Sequence, residues 1–178
     1  SAAALDDPAT YPSFFRTGYS DLRAASVLVD NVAQTLGWNR IALVGTPDNA
    51  FGRSGIQGIN ASVGRKEGME IVAFEPFAVG ASDADLRAAV NRAAKNRPDG
   101  YIISAPGPDT RAVLRAAAAT GHAPVVRGRG IAAPMWLATE KVEIDPKDTV
   151  AMLGAAAYIC YAPPPPGLGR SAQSDAFV

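Results

Sequence analysis

Between residues 40 and 121 one pattern recurs three times: a short apolar run, a turn, and a longer stretch whose apolar residues return at steps of three and four. The runs are Arg40-Ile41-Ala42-Leu43-Val44-Gly45, residues 69–74 and Tyr101-Ile102-Ile103-Ser104. The first fits a strand buried on both faces, the situation of a parallel sheet covered by helices, and the other two read as further short strands. The stretches between them read as those helices. Ile56, Ile59 and Val63 share one face of the first, which runs to Gly68; Leu86, Val90 and Ala93 share one face of the second; Val113, Leu114 and Ala117 share one face of the third, which runs to Gly121. A further helix over residues 19–38 places Leu22, Ala25, Val29, Val32 and Leu36 together, with Ser20 suited to cap its start and Gly37 to end it. Ser82-Asp83-Ala84-Asp85 resembles a capping box, and Pro98 stops the helix it opens.

Two later segments, residues 135–138 and 150–158, read as additional strands. The alternation therefore predicts an α/β chain with a three-layer, doubly wound, mainly parallel sheet. Trp38 and Trp136 each lie beside a strand and read as core or hinge packing. Residues 163–166, four prolines in a row, can neither pair in a sheet nor continue a helix and read as an extended exit segment. The division expected is a crossing segment over residues 1–18, an α/β lobe over 19–158, and a proline-rich return and tail over 159–178.

Composition narrows the function. The 17 basic and 17 acidic side chains cancel, with no block of like charge, which leaves no electrostatic footprint for nucleic acid or an anionic bilayer. One cysteine, Cys160, and one histidine, His122, cannot supply a Cys/His metal centre or an internal disulfide, so neither metal nor cofactor is expected. The apolar run over 149–162 is shorter than the roughly 20 residues a helix needs to cross a membrane. Residues 1–7 have no charged and apolar halves of a leader peptide.

Ligands of open α/β sheets bind beyond the carboxyl ends of the strands, which selects the loops 46–51, 75–81, 105–109 and 139–147. In the first, Asp48, Asn49, Phe51 and Gly52 combine a charge, an amide, an aromatic face and a close-approach glycine; the same residues also serve as an ordinary helix cap with Phe51 turned into the core. In the third, Ala105, Pro106, Gly107 and Asp109 offer backbone amides at a helix mouth, or simple turn chemistry. Gly128-Arg129-Gly130-Ile131-Ala132-Ala133 matches a dinucleotide fingerprint by letter but precedes Pro134 and a strand instead of opening a helix, so it reads as a flexible loop. Gly52-Arg53-Ser54-Gly55 lacks the spacing of a nucleophile elbow, and His122 sits just past a helix end where it caps or meets solvent. The acidic pairs Asp83/Asp85 and Asp145/Asp148 are explained by capping and solvation. Asn60-Ala61-Ser62 fits the acceptor pattern for an N-linked sugar.

The order of segments resembles the type I periplasmic-binding-protein superfamily, in particular the extracellular ligand-binding regions of natriuretic-peptide and metabotropic glutamate receptors. Tyr11-Pro12-Ser13-Phe14-Phe15-Arg16-Thr17 is similar to the family's crossing into its second lobe, Gly37-Trp38-Asn39-Arg40-Ile41-Ala42-Leu43 to the entry into that lobe's first strand, and Phe51-Gly52-Arg53-Ser54-Gly55 to its aromatic-glycine loop. Met135-Trp136-Leu137-Ala138-Thr139-Glu140 is similar to a later strand and turn. The resemblance implies the second lobe of a two-lobed, non-catalytic clamp for a small molecule or peptide, on the extracellular face of a membrane receptor or in a periplasm. It implies a first lobe as partner, dimerisation through the whole module, and ligand-facing positions at Asp48, Phe51, Ala105, Pro106, Gly107 and Glu140. Phe51 stands where the family often has tyrosine and Glu140 where it often has aspartate, which departs from an amino-acid site. The other readings of the same pattern are a structural or assembly domain that has lost the pocket, a transport-associated binding protein, and a flavodoxin-like or Rossmann-like enzyme domain.

Overall fold

A computed structural model describes residues 7–13, 20–122, 126–127, 130–131 and 135–139. The chain passes through α1 (Asp21–Asn31), which runs on into a π-helical turn (Val32–Leu36), then β1 (Arg40–Gly45), α2 (Ala50–Val63), β2 (Glu70–Pro76), α3 (Asp83–Lys95), β3 (Gly100–Ser104) and α4 (Gly107–Ala119). Two short strands follow, β4 (Val126–Arg127) and β5 (Gly130–Ile131), and then β6 (Met135–Ala138).

Local chemistry sets the helix ends where the sequence places them. Ser20 Oγ accepts from the Arg23 amide at the start of α1, and Gly37 stands at φ 66° at the end of the π turn. At α3 the cap is reciprocal, because the Ser82 hydroxyl accepts from the Asp85 amide and donates to the Asp85 carboxylate at 2.6 Å. Helix α4 closes on Gly121 at φ 73°, with the Gly121 amide donating to Ala118 and the His122 amide to Ala117, the paired bonds of a Schellman ending.

Strands β2, β1, β3 and β6 lie side by side in that order, all parallel. The chain leaves β1 toward β2 over one face of the sheet through α2, and returns from β2 past β1 to β3 under the other face through α3. This reversal makes the fold doubly wound and opens a switch point between the carboxyl ends of β1 and β3. The side chains of β1 alternate accordingly. Ile41 and Leu43 join Ala25, Val29, Ile56 and Ile59 on the α1/α2 side, while Ala42 and Val44 join Leu86, Val90, Val113 and Leu114 on the α3/α4 side. Both faces of β1 and β3 are thus buried, as their unbroken apolar runs predict. Leu22, expected on the buried face of α1, is 39% exposed: it lies in the first turn of the helix and touches α2 at Gly58 while its remaining surface stays open.

Both tryptophans pack in the core. Trp136 is fully buried, stacks on Tyr101 with ring centroids 4.0 Å apart, and donates its indole N–H to the His122 carbonyl at 3.0 Å. Burial pushes the Tyr101 phenol up from its ordinary pKa, so the ring stays neutral under the stack. Trp38 lies over Gly100, where any side chain would overlap the indole ring.

One expectation is corrected: the stretch read as a flexible loop over residues 128–133 contains strand residues. Gly130 and Ile131 pair antiparallel with Arg127 and Val126 in a two-stranded sheet separate from the main one. Residues 7–13 make a turn in which the Asp7 carboxylate accepts from the Ala9 amide and the Thr10 hydroxyl. The rest of the expected crossing segment, the strand expected at 150–158, Cys160 and the prolines at 163–166 lie outside the described residues.

Replacing Trp136 by alanine removes the stacked ring and an indole bond, and is expected to lower unfolding free energy by about 3–5 kcal/mol in a denaturant titration. Trp136→Phe retains most of the stack and loses less.

Candidate functional site

The carboxyl edge at the β1/β3 switch point is built on an unusually close approach of backbone. A methyl group added at Gly52 would overlap Thr46 Oγ1 and the Thr46 carbonyl, and one added at Gly55 would overlap the Ser104 hydroxyl. One added at Gly45 would come within 2.6 Å of the Ser104 carbonyl. The first turn of α2 therefore sits directly on the ends of β1 and β3. One hydrogen bond fastens it there, from the Ser104 hydroxyl to the Gly52 carbonyl at 3.0 Å, while the Thr46 amide, donating to the Ser104 carbonyl at 3.0 Å, ties the two strand ends together. Thr139, just past β6, donates its amide to Ile103 and approaches the Ser104 hydroxyl at 3.4 Å. Thr46 is fully buried and its hydroxyl has no partner among the described residues.

Of the residues expected at a site, Asn49 is the cap of α2, its side-chain oxygen accepting from the Phe51 and Gly52 amides at 2.9 and 3.3 Å. Gly52 and Ala105 are buried in the packing just described and present little surface. Phe51, Pro106 and Gly107 are partly exposed, Phe51 in the first turn of α2 and Pro106 and Gly107 at the start of α4, the two helices that follow β1 and β3. Pro106 caps α4 without a side-chain hydrogen bond, and Pro108 follows with no amide to offer. Asp48, exposed, accepts from the Val79 amide at 3.3 Å, and Asp109, buried in the first turn of α4, accepts from the Gly80 amide at 2.8 Å. Glu140 lies outside the described residues. The structure thus gathers Asp48, Asn49, Phe51, Pro106, Gly107 and Asp109 at one edge, but engages three of them in internal bonds.

Sequence reasoning missed the hydroxyls Thr46, Ser104 and Thr139 that line the ends of three adjacent strands. The signal was available in glycines 45, 52 and 55, whose spacing around one turn announces a close approach. His122 is at the far end of α4, at the opposite edge of the sheet, where its Nε2 meets Asn91 Oδ1 at 3.0 Å. Asn60 is exposed on α2 with its amide donating to Ile56, while Ser62 is buried. Among the described residues no group of three or more His, Cys, Asp or Glu is placed to hold a metal, and no helix is long and apolar enough to cross a membrane.

A family model described as periplasmic binding protein matches residues 1–164. This chain belongs to the periplasmic binding protein family. The parallel, doubly wound sheet agrees with the type I form of that family, and membership supports a ligand-binding role. A stretch of 56 residues is 45% identical to taste receptor type 1 member 3 of the dog, Canis lupus familiaris; it covers 32% of this chain and 6% of the receptor's length.

The packing at the switch point gives opposite expectations for two substitutions. Gly52→Ala forces α2 off the strand ends and is expected to cost about 1–3 kcal/mol. Thr46→Val removes a buried hydroxyl without a partner at nearly constant shape, and is expected to be neutral or to stabilise by about 1 kcal/mol. Thermal unfolding of the two variants beside the parent checks both.

Proposed function

We propose that this chain is the second lobe of a two-lobed, non-catalytic clamp of the sensory-receptor type, and that the carboxyl edge at the β1/β3 switch point is its wall of the ligand cleft. The observation that carries the reading is topological. In a chain of the periplasmic binding protein family, the strand order brings Phe51 from one side and Pro106 and Gly107 from the other to the single place where an open α/β sheet exposes a crevice. These three residues form an apolar and backbone surface suited to one side of a small molecule or peptide. The identity to a taste receptor favours an extracellular sensory setting over a transport protein.

Catalysis is not favoured by this edge. The chain's single histidine is at the opposite edge of the sheet, so no imidazole base reaches the switch point. A surface contributed by one lobe also encloses too little of a ligand to bind it well, because good pockets cover roughly 70–90% of a small molecule. Affinity on this reading belongs to the two walls together.

The test is calorimetric titration of the full-length protein, and of this chain alone, with pooled amino acids, short peptides and sugars. Binding to the full-length protein and not to the isolated chain is the expected result; equal binding to both refutes the clamp. Phe51→Ala in the full-length protein is expected to weaken that binding about tenfold, worth about 1.4 kcal/mol, with little change in melting temperature.

A further inference from the structure

The connection from β2 to α3 is tied down more thoroughly than its exposure suggests. Residues 78–80 are exposed, and Val79, at 50%, is one of the large apolar side chains most open to solvent. Yet successive amides of this segment are bound by three different elements. The Phe77 amide donates to the Gly45 carbonyl at the end of β1, 2.9 Å away, and its ring is buried on the α3/α4 side of the sheet. The Val79 amide reaches Asp48 in the loop before α2, and the Gly80 amide reaches Asp109 in the first turn of α4. The Ala81 amide closes a turn onto the Ala78 carbonyl at 3.0 Å, with Gly80 at φ 71°.

Asp48 and Asp109 therefore stand on opposite sides of the switch point, one before α2 and one in α4, and grip adjacent residues of a third loop. At 2.8 Å and partly buried, the Asp109 bond has the length of a strong charge-assisted one, while the exposed Asp48 bond, at 3.3 Å, is the weaker of the two. Asp109 also lies in the first turn of α4, where the helix dipole favours a carboxylate. A side chain that only capped its own helix would bond an amide of that helix; these two bond amides 31 and 29 residues away in sequence.

We infer that residues 77–81 are a strap forming a third wall beside the switch point, and that Asp48 and Asp109 are positioning residues that hold this strap and are not the charges that meet a ligand. The word wall rests on the cleft reading above; the pinning does not. On this assignment the lobe offers its occupant Phe51, Pro106, Gly107 and the exposed Val79, an apolar and backbone surface, and an ammonium group on a ligand has to be met by the other wall.

Because an asparagine oxygen accepts the same amide bond and carries no charge, the two roles separate cleanly. Amide exchange is measured on the chain and on its Asp48→Asn, Asp48→Ala, Asp109→Asn and Asp109→Ala variants. Asp109→Ala is expected to speed exchange of Gly80 by about tenfold or more, the loss of one bond to a charged group, and Asp48→Ala to speed exchange of Val79 by a smaller factor, since that bond is longer and exposed. The asparagine variants are expected to stay near the parent, and the Ile102 and Ile103 amides to be unchanged throughout. Gly80 exchanging as fast in the parent as in Asp109→Ala, or as fast in Asp109→Asn as in Asp109→Ala, overturns the assignment. In the full-length protein, a melting-temperature shift produced by pooled amino acids is expected to survive both asparagine variants. Loss of that shift in an asparagine variant that keeps its amide protected makes the carboxylate a ligand contact and overturns it as well. If the pool shifts no variant and not the parent, the cleft reading fails for amino acids while the exchange result still decides the strap.

Discussion

The seating of α2 on the ends of β1 and β3 is the contact on which the rest of the carboxyl edge depends. It is made of backbone and two short hydroxyl side chains: Gly45, Gly52 and Gly55 have no room for a methyl group, and the Ser104 hydroxyl crosses the gap to the Gly52 carbonyl. Close approach of this kind is rigid, because no long side chain stands between the elements to yield. Its consequence is that the mouth of α2, with Phe51, keeps a fixed relation to the end of β3, from which Pro106 and Gly107 follow within three residues. The two sides of the switch point are spaced by main chain, and the side chains facing it are free to differ without disturbing the scaffold.

The opposite edge is fastened by different means. The Asp99 carboxylate accepts from the Asn39 and Arg40 amides, both at 2.8 Å, and Arg40 reaches Glu70 at 2.5 Å and the Asn96 carbonyl at 3.0 Å. These groups are largely exposed, so the ion pair adds little by itself. The carboxylate on two amides does more, since it satisfies donors at the start of the central strand pair that no neighbouring strand reaches. One edge is thus closed by polar side chains, and the other by close packing with its loops held in place.

How much of this was legible in sequence follows from the range of each interaction. Helix ends were legible because their caps are local: Ser20 to Arg23, Ser82 to Asp85, and the Gly121 ending all act within a turn or two. Strands β1 and β3 were legible because burial on both faces leaves an unbroken apolar run, and the strand order follows from handed crossovers once the helices are placed. The pairing of β4 and β5 was not, since strands of two residues carry no periodicity, and the exposure of Leu22 depends on how much of it α2 covers, a tertiary fact. At the site, the loops followed from the topology but the occupations of Asp48 and Asp109 did not. Their partners are backbone amides in a distant loop, and an amide leaves no mark in the sequence.

On the proposed reading as one lobe of a clamp, the edge places its discriminating power in few atoms. Scaffold contacts consume Gly52, Ala105, Asn49 and one bond each of Asp48 and Asp109. What stays open is Phe51, Pro106, Gly107 and the strap around Val79, mostly carbon and backbone, and apolar contact discriminates weakly between ligands of similar size. A site lined by such a surface recognises shape on this side and needs directional polar groups from elsewhere to recognise chemistry. On the clamp reading, that division is mechanically useful: with Asp48 and Asp109 bonded to the strap, the carbon and backbone surface between them accepts a ligand held by the opposite wall, so burial of its apolar face adds to the free energy of closing.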